Sequence, residues 1–377
     1  FKGLGHGARV SFLFPLTVLV GENGCGKSSI LQALENTPEG KSFTSRWFST
    51  SVDPIPINPR PAYWYSYYNS DANMIVQVLN ERIQKKDNPD YWEPARPKKK
   101  YGMKPFPSGK ANTPGASGTR WNGTKRNVLY IDFRSELSAF DKYFYFGEKP
   151  NKKTIKTKQD YIRSYSKYLK KLFDKDIDEN FLLRNKKMIE YEIDLTSYEI
   201  KNISEILDKN YTSIKLIKHR FYKQWGESVY FNLDKTNTLN FSGNYTEAFA
   251  GSGESAVVKL VHQIYSSKCG DLILLDEPEV SLHPGAQKRL LSFLLKQTLE
   301  KKLQIVISTH SPAIVEELPE EAIILLHQNS EGLFYPKCSI PAELAFQYIG
   351  QNNYKKPKTI VEDFSAKHLH QYLCKTE

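Results

Sequence analysis

Gly21-Glu22-Asn23-Gly24-Cys25-Gly26-Lys27-Ser28 fits the pattern G-x-x-x-x-G-K-[ST] without departure. It follows an apolar run, Leu16–Val20, that reads as a strand, and it opens a helical pattern from Lys27 to about Leu34. Strand, glycine turn and helix are the context this motif needs. The glycines let backbone N–H groups close around a chain of phosphates, and the helix N-terminus adds favourable partial charge. The pattern puts Asn23, Gly24, Cys25, Gly26, Lys27, Ser28 and Ser29 around a nucleotide's phosphates. Lys27 would reach the β- and γ-phosphates, and the Ser28 hydroxyl would ligate Mg2+. The competing reading is an ordinary glycine-rich turn, which the flanking strand and helix disfavour.

A second element lies far along the chain. Leu272-Ile-Leu-Leu-Asp276-Glu277-Pro278 is a short, wholly apolar strand ending in two carboxylates, as a buried parallel strand would. Asp276 is placed to hold the magnesium, and Glu277 to polarise an attacking water. Two weaker signals flank it: Ala250-Gly251-Ser252-Gly253-Glu254 at the start of a helix, and Ser308-Thr309-His310-Ser311-Pro312 after the strand Gln304–Ser308. Alone, a Ser-Gly-Glu or a histidine means little, and a lone histidine is more often structural. Their order, with the glycine loop first and Asp-Glu between them, gives them weight.

Elsewhere the pattern predicts strands at Ala8–Phe14, Asn127–Phe133, Val229–Leu233, Thr238–Phe241 and Ala322–Leu326. It predicts helices at Met74–Ile83, from Gly253 to about Tyr265, and over Ala286–Leu299. Pro54, Pro56, Pro59 and Pro61 mark a connection. From about Leu137 to Trp225 the spacing reads as helical, including Ile214, Ile217, Phe221 and Tyr222. The aromatic run Tyr63–Tyr68 could stack bases, but such runs more often pack on their own core. The implied architecture is α/β with a large helical insertion. It divides as the N-terminal part of a nucleotide-binding lobe over 1–136 with a basic loop at 95–126, a helical insertion over 137–228, and the C-terminal part of the same lobe over 229–340. A short C-terminal strand–helix segment follows at 355–377.

The net charge of +11 is uneven. Residues 96–126 carry nine Lys/Arg and no Asp/Glu, and residues 149–175 carry ten against two, Asp160 and Asp174. Such local positive charge suits a surface that meets a polyanion. Two solvated, partly disordered segments are the alternative, and 96–126 is the best candidate for a mobile loop. Cysteines at 25, 269, 338 and 374 have no paired spacing, which suggests a reducing cytosol and neither a disulfide framework nor a zinc site. The longest apolar run, Phe12–Val20, is strand-sized and holds Pro15, so no membrane span is expected.

Together these motifs resemble the ABC-type ATPase heads of the SMC and RecF group. Asp276-Glu277-Pro278-Glu279-Val-Ser-Leu282-His283-Pro284 and Ser308-Thr309-His310-Ser311-Pro312 look most like the OLD-type and PtuA-type ATPases of antiphage systems, including Septu and retron-linked ones. The similarity covers roughly 1–35 and 245–330. It implies two heads bound head to tail around two ATPs. Ser252, Gly253 and Glu254 would meet the γ-phosphate held by the partner's glycine loop, and His310 the one held by its own. Glu279–Pro284 would line the interface. The resemblance also implies an HNH-type nuclease partner, with DNA or a DNA–RNA molecule on the basic segments. The family's loop glutamine is not placed; Gln77, nearest by position, falls inside the predicted helix. Thr359-Ile360-Val361-Glu362-Asp363 is similar to the opening of a Toprim nuclease, without the later Asp-x-Asp pair. An OLD-type nuclease with its own Toprim and a RecF-like DNA-repair head are the alternatives. Against coiled-coil heads, the insertion shows no sustained heptads.

Overall fold

The computed structural model describes residues 3–135, 137–148, 155–233 and 243–348. The predicted strand at 238–241 and the Toprim-like segment, with Glu362, fall wholly outside them.

The first strand, β1 (Leu16–Gly21), and helix α1 (Lys27–Glu35) match the predicted pair. Next come β2 (Ala62–Asn69), β3 (Met74–Lys85), β4 (Asn88–Ala95), the two-residue strands β5 (Ala116–Ser117) and β6 (Arg120–Trp121), and β7 (Val128–Asp132). Then follow α2 (Ala139–Phe146), α3 (Lys158–Phe173), β8 (Leu182–Leu183), β9 (Lys186–Lys187), β10 (Ile189–Asp194), α4 (Ser197–Leu207), β11 (Tyr211–His219), β12 (Gly226–Leu233) and β13 (Asn244–Thr246). The last part holds α5 (Ser252–Ser266), β14 (Leu272–Asp276), α6 (Pro284–Glu300), β15 (Gln304–Ser308), α7 (Pro312–Val315), β16 (Ile323–Gln328), β17 (Phe334–Cys338) and α8 (Ala342–Tyr348).

The central sheet has the order β17-β16-β1-β15-β14-β7. It is parallel except for β17, which runs antiparallel to β16. Its four inner strands, β16, β1, β15 and β14, are buried on both faces over most of their length, so they read as continuous apolar runs. The faces still separate by parity. Leu16, Val18, Val20, Ile273, Leu275, Ile305, Ile307, Ile323 and Leu325 pack into the cluster that includes α4, α5 and α6. Leu19, Leu272, Leu274, Val306, Ile324 and Leu326 pack with Ile30 and Leu31 of α1. This is the α/β architecture expected from the sequence.

Four expectations fail here. Residues 8–13 have no regular structure, so the strand predicted there is absent. Met74–Ile83 is the strand β3, the centre of the antiparallel sheet β2-β3-β4. Its Val76 and Val78 alternate into a small core, while Arg82 enters a buried pair with Asp90 at 2.7 Å. That alternation outweighs the spacing that suggested a helix, and it puts Gln77 in a strand, its Oε1 accepting from Lys104 N at 2.8 Å. Ile214 and Ile217 lie in β11, within the antiparallel sheet β10-β11-β12-β13, and Phe221 and Tyr222 lie in the turn that follows. The insertion is therefore mixed. Nor is it a separate body: Leu195, Ile203, Ile206, Ile214 and Leu216 belong to the main core. Lastly, the 96–126 segment is anchored. Met103 and Trp121 are buried, Phe106 lies against Trp121 at 5.2 Å, and Lys98 reaches the buried Glu81 at 2.5 Å.

The aromatic run packs, as the commoner reading had it. Tyr63, Tyr65 and Tyr67 share one face of β2, and their hydroxyls donate to the carbonyls of Asn36, Thr37 and Asn122. Tyr63 joins Phe43, Trp47 and Trp92 in an aromatic cluster that also takes Ala33 of α1. The sheet β2-β3-β4 is thereby fixed to the helix that follows the glycine loop.

Removing one partner of the Arg82–Asp90 pair leaves a buried charge without its counter-ion. Asp90→Ala is expected to lower unfolding stability by about 3 kcal/mol, read as a drop in urea midpoint. A change under about 0.5 kcal/mol, typical of a surface site, would contradict the burial described.

Candidate nucleotide site

The register of the central sheet builds the site. Leu19 lies beside Ser308, Ser308 beside Asp276, and Asp276 beside Asp132. The segments leaving β1, β15, β14 and β7 thus emerge from one edge, at the carboxyl ends of parallel strands. Ligands bind there in open α/β sheets.

The glycine loop leaves β1 and closes on α1. Gly26 caps the helix with φ 101°, a left-handed conformation that glycine adopts without steric cost. A Cβ there would also press on Leu4. Lys27 is buried and folds back over its own loop, donating to Gly21 O at 2.9 Å and Glu22 O at 3.1 Å. Burial pushes its ammonium down, partly offset by Cys25, Glu277, Asp276 and Glu279. Cys25 is buried, and burial pushes its thiol up. Ser29 is buried in α1, while Ser28 turns to the sheet edge.

Asp276, fully buried, is where the segments meet. Its Oδ1 accepts from Ser28 Oγ at 3.2 Å and from Ser308 Oγ. Its Oδ2 accepts from Tyr130 Oη at 2.9 Å and from Arg134 Nη2 at 3.2 Å. Glu277 follows with φ 53°, left-handed for a residue with a side chain, which turns it off the strand axis. Its carboxylate lies 3.6 Å from Arg134 Nη1. Lys27, Ser28, Asp276 and Glu277, singled out in the sequence, lie together at this edge.

His310 belongs to the same edge. Its backbone N–H donates to Glu279 Oε1 at 2.6 Å. Its ring Nε2 is buried with no hydrogen-bond partner among the described residues. Burial, then the nearby Lys27, holds the ring below the usual histidine range. A buried ring nitrogen without a partner beside a phosphate-type loop fits a phosphate oxygen.

The Gly251–Glu254 turn divides its residues between solvent and core. Ser252 is exposed at the N-terminus of α5. Gly253 is buried, and a Cβ there would lie 2.4 Å from Ser281 O. Glu254 points inward: its carboxylate accepts from Tyr211 and Tyr245 and pairs with Lys209 at 3.1 Å. Glu254 is therefore a core anchor and not a phosphate contact of its own chain. No hydrogen bond among the described residues links Ser252 to the glycine loop.

Three residues at this edge escaped the sequence analysis: Tyr130, Asp132 and Arg134. They sit on β7, the strand beside β14, and just past it. Only the predicted strand Asn127–Phe133 pointed there, because strand order is not written in the sequence. For Mg2+ the donor set fits: Ser28 and Asp276 are adjacent hard oxygens, and Mg2+ is usually completed by phosphates and water. No cluster of three or more His, Cys, Asp or Glu able to hold a metal occurs among the described residues. No helix there is long and apolar enough to cross a membrane.

A family described as an AAA domain matches residues 1–224, more than half of the chain. The chain belongs to that family. A second, described as an AAA ATPase domain, matches residues 144–315. The chain is an AAA-type ATPase. It is 25% identical over 340 residues to an OLD nuclease of Thermus scotoductus, covering 85% of this chain and 59% of that one. It thus spans about three-fifths of that relative's length. Among solved structures it is similar to the SMC head domain from Thermotoga maritima, at 14% identity and TM-score 0.41, covering 90% of this chain and 95% of that one. It is similar also to a Pyrococcus furiosus Smc head bound to the C-terminal domain of ScpA, at 14% identity and TM-score 0.46, covering 88% and 92%.

Glu254→Ala leaves Tyr211, Tyr245 and Lys209 without their acceptor. The expected outcome is a loss of about 2–3 kcal/mol of stability, seen in thermal melting, with nucleotide affinity nearly unchanged in the folded fraction. Unchanged melting with weakened nucleotide binding would instead make Glu254 a ligand contact.

Proposed function

We propose that the chain binds ATP with Mg2+ and hydrolyses it, as the ATPase subunit of an antiphage complex of the PtuA type. The observation that carries the hydrolytic half is the Ser28–Asp276 contact at 3.2 Å, which joins the glycine loop to the strand tip. Ser28 and Asp276 would hold Mg2+, and Lys27 would meet the β- and γ-phosphates. Glu277 would align the attacking water, and His310 Nε2 would face the γ-phosphate. A bound metal would neutralise phosphate charge as the terminal phosphoryl group leaves.

Closure of two heads around nucleotide is supported by Ser252, exposed at the start of the fifteen-residue helix α5. Helix N-termini favour anions, and this one has no phosphate of its own chain to meet. The basic face of α3, with exposed Arg163 and Lys170, supports contact with DNA or a DNA–RNA molecule. On this reading the nuclease is a separate, HNH-type subunit. A second reading, an OLD-type nuclease in its own right, is favoured by the curated relative, whose length exceeds the matched region. That reading places catalysis near Glu362.

Glu277→Gln tests the hydrolytic assignment. Steady-state ATP hydrolysis should fall roughly a hundredfold while ATP binding persists and dimers accumulate in size-exclusion with ATP and Mg2+. Wild-type turnover in the variant would remove Glu277 from the catalytic role. Purification of the native operon product from cells tests the partner. A co-purifying nuclease subunit supports the regulator reading, and a lone homodimer of longer chains that cleaves DNA by itself overturns it.

A further inference from the structure

Arg134 belongs to none of the motifs, yet it touches more of the site's carboxylates than any other described side chain. Its backbone N–H donates to Asp132 Oδ1 at 3.1 Å, and its Nε donates to the same oxygen at 3.2 Å. Nη2 reaches Asp276 Oδ2 at 3.2 Å, and Nη1 lies 3.6 Å from Glu277 Oε1. One guanidinium thus serves three carboxylates that would otherwise repel one another.

A carboxylate offers about four lone-pair positions. Ser28, Ser308, Tyr130 and Arg134 take them all on Asp276. For Asp276 to ligate a cation, one donor must yield. Ser28 is itself a candidate ligand of that cation. Ser308 is fully buried, and Tyr130 lies half-buried under the Arg46 guanidinium, 4.8 Å from its ring. Arg134 is 47% exposed, and its distances exceed the 2.7–2.9 Å or so of a strong charge-assisted bond. It is also the one donor whose replacement by a metal exchanges cation for cation.

We infer that Arg134 is a displaceable counter-ion that gates metal entry and positions Glu277. It holds Asp276 and Glu277 until it yields its Asp276 oxygen to the divalent cation that accompanies nucleotide. It then stays tethered at Asp132, with its fork on Glu277. This rests on the nucleotide–metal reading of Lys27, Ser28 and Asp276. Arg134 is a positioning residue, since it acts through the two carboxylates.

The test uses the full native chain and Mn2+ alone as probe, without nucleotide, followed by the loss of free Mn2+ signal in electron paramagnetic resonance. Arg134→Ala should bind Mn2+ about five- to tenfold more tightly than wild type, the equivalent of one ordinary hydrogen bond removed, as the length and exposure of this contact imply. Arg134→Lys, which keeps the charge but loses the fork, should fall between the two. Arg134→Gln carries the same measurement should the alanine variant not fold. Unchanged Mn2+ affinity in the neutral variants, with or without a lower melting temperature, overturns the gate and leaves Arg134 a loop brace. The underlying reading is checked separately by ATP binding of wild type and Lys27→Ala. Equal affinity of the two would overturn that reading, whatever Mn2+ does.

Discussion

Asp276 is a fully buried carboxylate that accepts from residues 28, 130, 134 and 308. A buried charge is tolerated only when its hydrogen bonds are made. Here they are made by side chains from the glycine loop helix, from β7 and the turn after it, and from β15. The carboxylate therefore requires those strands in one register. A slip of a single residue would turn the strand's side chains to the opposite face. Parity shows the constraint at work. Asp276 shares its face with Leu272 and Leu274, which pack under α1, and Ser308 shares its face with Val306. Val128 and Tyr130 pack against the same cluster. The polar ends of three strands and the start of α1 thus meet on one side of the sheet, while Ile273, Leu275 and Ile307 fill the other.

The accessory sheets depend on that arrangement in different ways. The sheet β2-β3-β4 grips α1 through Phe43, Trp47, Trp92, Tyr63 and Ala33. The connection from α1 to β2 is tied to the end of α1 by Arg46, which makes a bidentate pair with Glu35 at 2.8 and 2.9 Å. The same guanidinium lies over Tyr130, a donor to Asp276. The sheet β10-β11-β12-β13 instead packs with α4 and α5 on the opposite face. Its far side shares Ile217 and Ile189 with the tyrosine-rich cluster of α2 and α3. Lysine-rich α3 is thus carried on a packed base. Its capping box, with Thr157 and Asp160 bonded both ways, sets where it starts. The described parts of the basic segments, 96–126 and 155–175, are thus packed onto the core clusters.

Motif chemistry was legible where a residue's role is local. Lys27 and Ser28 follow from eight consecutive residues, and Asp276 and Glu277 from an apolar run that ends in acids. What could not be read depends on which strand lies beside which. Tyr130, Asp132 and Arg134 reach the site only because β7 pairs with β14, a neighbour 144 residues away at the Val128↔Leu272 pair. Met74–Ile83 was misread for a related reason. Asp90, Lys98 and Tyr101, all outside the segment, are what satisfy its Glu81 and Arg82. Glu254 has the same cause. Its apparent place in a phosphate turn gives way to two tyrosines from β11 and β13, which sequence spacing does not bring together.

The turn at 279–282 shows how the two ends of the site share one body. Gly253 lies under Ser281 O, so the start of α5 sits directly on this turn. On the other side, Gln287 Nε2 donates to Leu282 O at 2.7 Å, and Gln287 Oε1 accepts from Ser311 Oγ. Glu279 Oε1 in turn accepts the His310 N–H. A continuous run of contacts therefore joins the exposed Ser252 end of α5 to the His310 segment, through a turn whose Ser281 is itself left-handed at φ 65°. Close-packed interiors do not absorb displacements gradually. The glycine at 253 is thus fixed by packing: no side chain fits between α5 and this turn without separating them.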